Sequence, residues 1–101
     1  MRVPITNVRD AGMLVRAVRK SQGLRMDDLA GSAGVGHVFV RDAERGKETI
    51  EFGRFLRLLS ELGIKLEFDV PSDSLPIYQK LQETGLKPLP PRTKRKDHAK
   101  P

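Results

Sequence analysis

Few side chains in this sequence are able to do chemistry, and spacing rules out most of their usual combinations. The two histidines, His37 and His98, lie far apart with no acidic cluster beside them, so they do not make a metal site. There is no cysteine, which removes disulfides, thiol nucleophiles and Cys-based zinc sites together. No nucleophile, base and orienting group come together, and Gly34-Val35-Gly36 lacks the Lys-Ser/Thr and the preceding strand of a phosphate loop. No enzyme and no cofactor are expected. What remains is the stretch His37 to Arg45, where His37, Arg41, Asp42 and Arg45 offer hydrogen bonds and charge among few apolar neighbours.

The elements that must carry those residues can be read from apolar spacing. Residues 7–22 read as a first helix, with Ala11, Leu14, Val15 and Val18 inward and Arg9, Arg16, Arg19 and Lys20 facing away. Thr6 or Asn7 can cap its start, and Gly23 suits a left-handed C-terminal position. A short second helix follows, about Met26 to Ala33. Asp27 and Asp28 lie in its first turn and Leu29, Ala30 and Ala33 on its apolar stripe. Gly34-Val35-Gly36 then makes a tight turn, and two helices so joined cross steeply. The third helix runs from about His37 to Arg45. Gly36, Val40, Ala43 and Glu44 fall on one side; Val38, Arg41, Asp42 and Arg45 fall on the other, with His37 near the start. A fourth helix, about Glu51 to Leu62, has its apolar face on Phe52, Phe55, Leu56, Leu59 and Leu62. Val40, Ala43, Leu29, Phe55 and Leu59 are expected in the core.

After Gly63 the chain alternates strictly through Ile64-Lys65-Leu66-Glu67-Phe68-Asp69-Val70, the pattern of a half-buried strand. A lone strand leaves its own backbone groups unpaired, so Ile64, Leu66, Phe68 and Val70 are expected to seam two copies of the chain into a homodimer. Residues 1–70 are expected to form one domain. Residues 71–101 form a basic, proline-containing tail with a weak helix from Leu75 to Thr84 and disorder from Leu86 to Pro101.

The net charge is +6, but residues 1–70 contribute only +2 of it and residues 71–101 contribute +4. A basic chain attracts polyanions, and nucleic acid is the first partner such a charge suggests. No apolar run approaches the ~18 residues that span a bilayer and no signal peptide opens the chain, so a cytoplasmic, nucleoid-associated location is expected.

Leu29-Ala30, Gly34-Val35 and Glu44-Arg45-Gly46-Lys47, at these spacings, resemble the Cro/repressor (XRE-type) helix-turn-helix family. The following helix and the Ile64–Val70 alternation are similar to its HipB-like antitoxin branch. The resemblance implies a mostly α, lambda-repressor-like domain of four to five helices plus one C-terminal strand pairing across a homodimer. It places the third helix in the major groove of operator DNA, with His37, Val38, Arg41 and Asp42 at base edges. Arg41 would donate two bonds to guanine, His37 would bond a purine edge, Val38 would pack on a thymine methyl and Asp42 would accept from cytosine. Phosphate contacts fall on Arg19, Arg25, Arg45 and Lys47, while Glu44 corresponds to a position that pairs with a basic residue of the first helix, here Arg19. The implied function is a transcriptional repressor and antitoxin that binds a HipA-like Ser/Thr kinase toxin.

Two departures stand out: Arg25-Met26 replaces the usual Thr-Gln, and Gly36 replaces a Ser or Thr cap. With Asp42 facing DNA, they imply an altered operator preference or weaker binding. The alternative reading is a dimeric protein-interaction module whose helix-turn-helix no longer reads DNA.

Overall fold

The structure, a computed structural model, describes residues 1–86. Five helices are present: α1 (Val8–Ser21), α2 (Met26–Ala33), α3 (His37–Glu44), α4 (Phe52–Leu62) and α5 (Leu75–Thr84), the last preceded by a 3-10 turn at Ser72–Ser74. They divide into two compact units, Met1–Glu67 and a second beginning at Phe68. The basic run Arg92–Lys96 and the expected disorder past Leu86 concern residues 87–101, outside the described residues.

The boundaries of the first four helices follow from local chemistry. Asn7 caps α1, its Oδ1 accepting from the Asp10 amide at 2.7 Å. At the start of α2 the Arg25 side chain has no acceptor to offer, but Asp28 reaches back to the Arg25 amide at 2.9 Å. Gly34 ends α2 in the left-handed region, and the Val35 amide returns to the Ala30 carbonyl at 3.0 Å. Gly36 opens α3 with no side-chain cap. Glu51 caps α4 through the Arg54 amide at 2.6 Å.

The core of the first unit lies where these four helices meet: Val15, Leu29, Ala30, Ala33, Val40, Ala43, Phe55, Leu58, Leu59 and Leu62. α3 adds only Val40 and Ala43, with Glu44 beside them, and packs on both α1 and α2. On α4 the buried stripe is Phe55, Leu58, Leu59 and Leu62, while Phe52 and Leu56 are exposed. This corrects the expected face: at helical pitch Leu58 sits one turn from both Phe55 and Leu62, and Phe52 and Leu56 lie on the flank.

Arg19 also departs from expectation. It does not face away; it is buried at 6% exposure. Nor is there a strand among the described residues. Ile64 packs against the core of the first unit and its amide caps α4 through the Leu59 carbonyl at 2.8 Å, while Leu66, Phe68 and Val70 are exposed. A ladder needs a second strand, and the described residues of one copy supply none.

Candidate nucleic-acid interface

α3 reaches solvent along the side that carries the candidate residues. Val40, Ala43 and Glu44 point inward; His37, Val38 and Arg45 are exposed, and Arg41 and Asp42 are half-buried. The structure therefore brings His37, Val38, Arg41, Asp42 and Arg45 onto one helix, with Lys47 just past its end.

Asp42 is not an isolated negative charge on this face. Its Oδ1 accepts from Arg41 Nη2 at 3.2 Å and its Oδ2 lies 3.7 Å from Lys47 Nζ. Lys47 is the second cation on this carboxylate. The Lys47 amide also donates to the Asp42 carbonyl at 3.1 Å, tying the loop after α3 to the helix. These ion pairs are only partly buried and remain open to solvent screening, so Arg41 and Lys47 can exchange Asp42 for another anion at modest cost. Among the described residues Arg45 has no acidic partner within ion-pair distance. Arg25, the residue that precedes α2, is largely exposed, with Asp28 at 3.8 Å.

Arg19 cannot serve as a phosphate contact. Its Nε and Nη2 donate to Glu44 at 2.6 and 3.0 Å, and Nη1 donates to the Leu24 carbonyl at 2.8 Å. The hydrogen bond to Glu44 raises the Arg19 pKa, against the opposing effect of burial. Arg19 is thus a buried tie between α1, the chain leading into α2, and the end of α3.

Three features escaped the sequence reading. The Arg54 guanidinium stacks 4.6 Å above the Phe39 ring while its Nε lies 3.4 Å from Glu51, joining α4 to the flank of α3. His37 Nδ1 lies 2.6 Å from Asp27 Oδ1, joining the starts of α3 and α2. Gly12, in the middle of α1, is buried against the last turn of α3. A glycine in a helix interior is locally unfavourable, and that cost was the one available sign of the close approach.

Among the described residues no cluster of His, Asp and Glu could hold a metal ion, and no helix is long and apolar enough to cross a membrane.

Two short helices crossing through Gly34-Val35-Gly36, with the second presenting a polar outer face, define a helix-turn-helix domain. A helix-turn-helix family model matches residues 15–68. Over 64 residues the chain is 48% identical to an uncharacterized HTH-type transcriptional regulator, y4mF, of Sinorhizobium fredii, covering 63% of this chain and 84% of the relative. The chain belongs to the XRE-type helix-turn-helix family of DNA-binding transcriptional regulators.

Among solved structures, HipB in its complex with an O4 20mer superposes with a TM-score of 0.64 at 16% identity, covering 68% of this chain and 97% of that one. HipB in the HipA-HipB-O2-O3 complex gives the same values. At that identity the likeness is one of fold. The restriction-modification controller protein C.AhdI from Aeromonas hydrophila matches at 28% identity and a TM-score of 0.53, over 57% of this chain and 88% of its own.

Proposed function

We propose that this protein is a sequence-specific repressor that binds operator DNA as a homodimer. On this reading it is also the antitoxin of a HipA-type kinase toxin–antitoxin pair, binding the toxin and repressing its own operon. The observation that carries the DNA reading is α3 itself: only Val40, Ala43 and Glu44 are buried, leaving His37, Val38, Arg41 and Arg45 accessible on a rigidly held helix. In this reading His37, Val38, Arg41 and Asp42 meet base edges, and Arg25, Arg45 and Lys47 meet phosphates. In the free protein Asp42 is paired with Arg41 and Lys47, so its carboxylate does not stand on this face as an uncompensated charge. The toxin partner is supported by the likeness of fold to HipB, which is found in complex with HipA.

Truncation of Arg41 and Arg45 tests the groove assignment. Arg45→Ala is expected to weaken binding to every sequence and to lower the slope of log affinity against log salt by about one. Arg41→Ala is expected to cost about 1–3 kcal/mol at the cognate site and to relax preference at one base pair. Both are read by titrating labelled duplexes at several salt concentrations. Wild-type affinity in the Arg41→Ala/Arg45→Ala double variant would remove α3 from the groove.

The seam is tested separately. Leu66 and Phe68 are 47% and 75% exposed in one chain, and a paired copy would cover them. Leu66→Asp/Phe68→Asp is expected to convert the dimer to a monomer by sedimentation and to abolish tight binding to a two-half-site duplex. A wild-type protein that sediments as a monomer at high concentration would overturn the seam.

A further inference from the structure

The pair Asp27–His37 gives the reading helix a chemical preference that neither residue would have alone. His37 is the first residue of α3 and Asp27 the second of α2, and the glycine turn brings Nδ1 and Oδ1 to 2.6 Å. Both side chains remain largely open to solvent, so the ring keeps its far edge free. An ionised carboxylate only accepts hydrogen bonds. The proton of the neutral imidazole must therefore sit on Nδ1 to make this bond, which leaves a bare lone pair on Nε2, the nitrogen turned away from Asp27.

We infer that Asp27 is a specificity-determining residue acting through His37, fixing the Nδ1–H tautomer so that Nε2 accepts from an amino group on a base edge. This rests on the proposed insertion of α3 into the major groove. There the bases divide by chemistry: adenine N6 and cytosine N4 donate, whereas guanine O6 and N7 and thymine O4 only accept. A bare Nε2 bonds the first pair and repels the second. Docking removes water from the Asp27–His37 bond, which strengthens it and holds the tautomer more firmly than in the free protein. Asp27 is a positioning residue here; it needs no contact with DNA.

The test uses the full-length chain and a randomised duplex library, with parallel selections by wild type, His37→Ala, Asp27→Asn and Asp27→Glu. The position read by His37 is the one whose preference disappears in His37→Ala. At that position wild type is expected to favour adenine or cytosine over guanine or thymine by about five- to tenfold, the worth of one hydrogen bond. Asparagine can donate or accept, so Asp27→Asn releases the tautomer and the preference falls to near parity. Asp27→Glu, which keeps the carboxylate, retains it. A general loss of folding would weaken all positions together and would not exchange one base class for another.

Nitrogen-15 shifts of the His37 ring, recorded without DNA in mildly alkaline buffer, read the tautomer directly. Nδ1–H in wild type and a mixed population in Asp27→Asn are expected. A guanine or thymine preference in wild type, an unchanged base class in Asp27→Asn, or Nε2–H as the wild-type tautomer would each overturn the inference. A wild-type protein that shows Nδ1–H but selects no sequence leaves the tautomer assignment standing and sinks the DNA reading, together with the role given to Asp27 in it.

Discussion

Glu44→Ala is expected to destabilise the first unit by about 3–5 kcal/mol, the cost of breaking one side of a buried ion pair. For a domain of this size that corresponds to a fall in melting temperature of roughly 15–30 °C. The Glu44 side chain is fully buried and the Arg19 side chain is 8% exposed. Removing the carboxylate leaves a guanidinium that cannot deprotonate, held in the interior by the Leu24 carbonyl alone. Arg19→Met is expected to be comparably damaging, because it strands the carboxylate instead.

The double variant Arg19→Met/Glu44→Leu separates the pair's own worth from the penalty of stranding one charge. Apolar replacement of a buried pair is often neutral or stabilising, so much of the loss is expected to return. Urea or thermal unfolding of the four proteins reads the cycle directly. Single variants that lose less than about 1 kcal/mol would show that water reaches Arg19 and that the tie is weak. DNA binding adds a second readout. The double variant keeps its core but loses a directional link between α1 and the end of α3, so its specific affinity is expected to fall further than its stability.

The same pair separates what periodicity reveals from what the family resemblance adds. Periodicity places a charged residue such as Arg19 on the outer face by default. Its burial depends on Glu44, 25 positions along the chain, a partner that the resemblance implies and that helical spacing within α1 does not reveal. Glycines carried the opposite kind of information. Gly23, Gly34, Gly46 and Gly63 all have positive φ and all punctuate helix ends, so α2 spans the residues expected of it and α3 ends one residue earlier. Leu58 was hidden because Leu56, Leu58 and Leu59 are all apolar, and only packing against the other helices decides which of them turn inward. The alternation from Ile64 to Val70 is plain in the sequence, but the described residues form no strand there, because alternation alone supplies no hydrogen-bond partner. The sequence shows Asp27 as an acid in the first turn of one helix and His37 as a residue near the start of the next. Their contact depends on how steeply α2 and α3 cross, which no local pattern encodes.

Two glycine-to-alanine changes are expected to move stability in opposite directions, and the contrast isolates what holds the reading helix in place. Gly31, on the exposed face of α2, has open space where a Cβ would go. Alanine there is expected to stabilise by up to about 1 kcal/mol through helix propensity and a less flexible unfolded chain. Gly12 would gain the same propensity, yet its Cβ would fall inside the van der Waals envelope of the Ala43 carbonyl oxygen and 3.0 Å from the Glu44 carbonyl oxygen. Both obstacles are backbone atoms in the last turn of α3, so no rotamer change relieves them. Gly12→Ala is therefore expected to cost about 3 kcal/mol or more, at or beyond the upper end of ordinary overpacking.

The relief open to the variant is a shift of α3 away from α1. That route is narrow, because Gly46, just past the helix, is also pressed on α1: a Cβ there would lie 2.6 Å from Arg9 Cα. A displaced α3 keeps its phosphate-facing cations but loses the alignment that base contacts require. Specific affinity is thus expected to fall well beyond non-specific affinity, measured on cognate and scrambled duplexes at one salt concentration. Thermal unfolding of both variants checks the stability half. If Gly12→Ala melted at or above the wild-type temperature, α1 and α3 would not be in contact at Gly12, and the orientation of the reading helix would have to be set by the Arg19–Glu44 tie and the α2 turn.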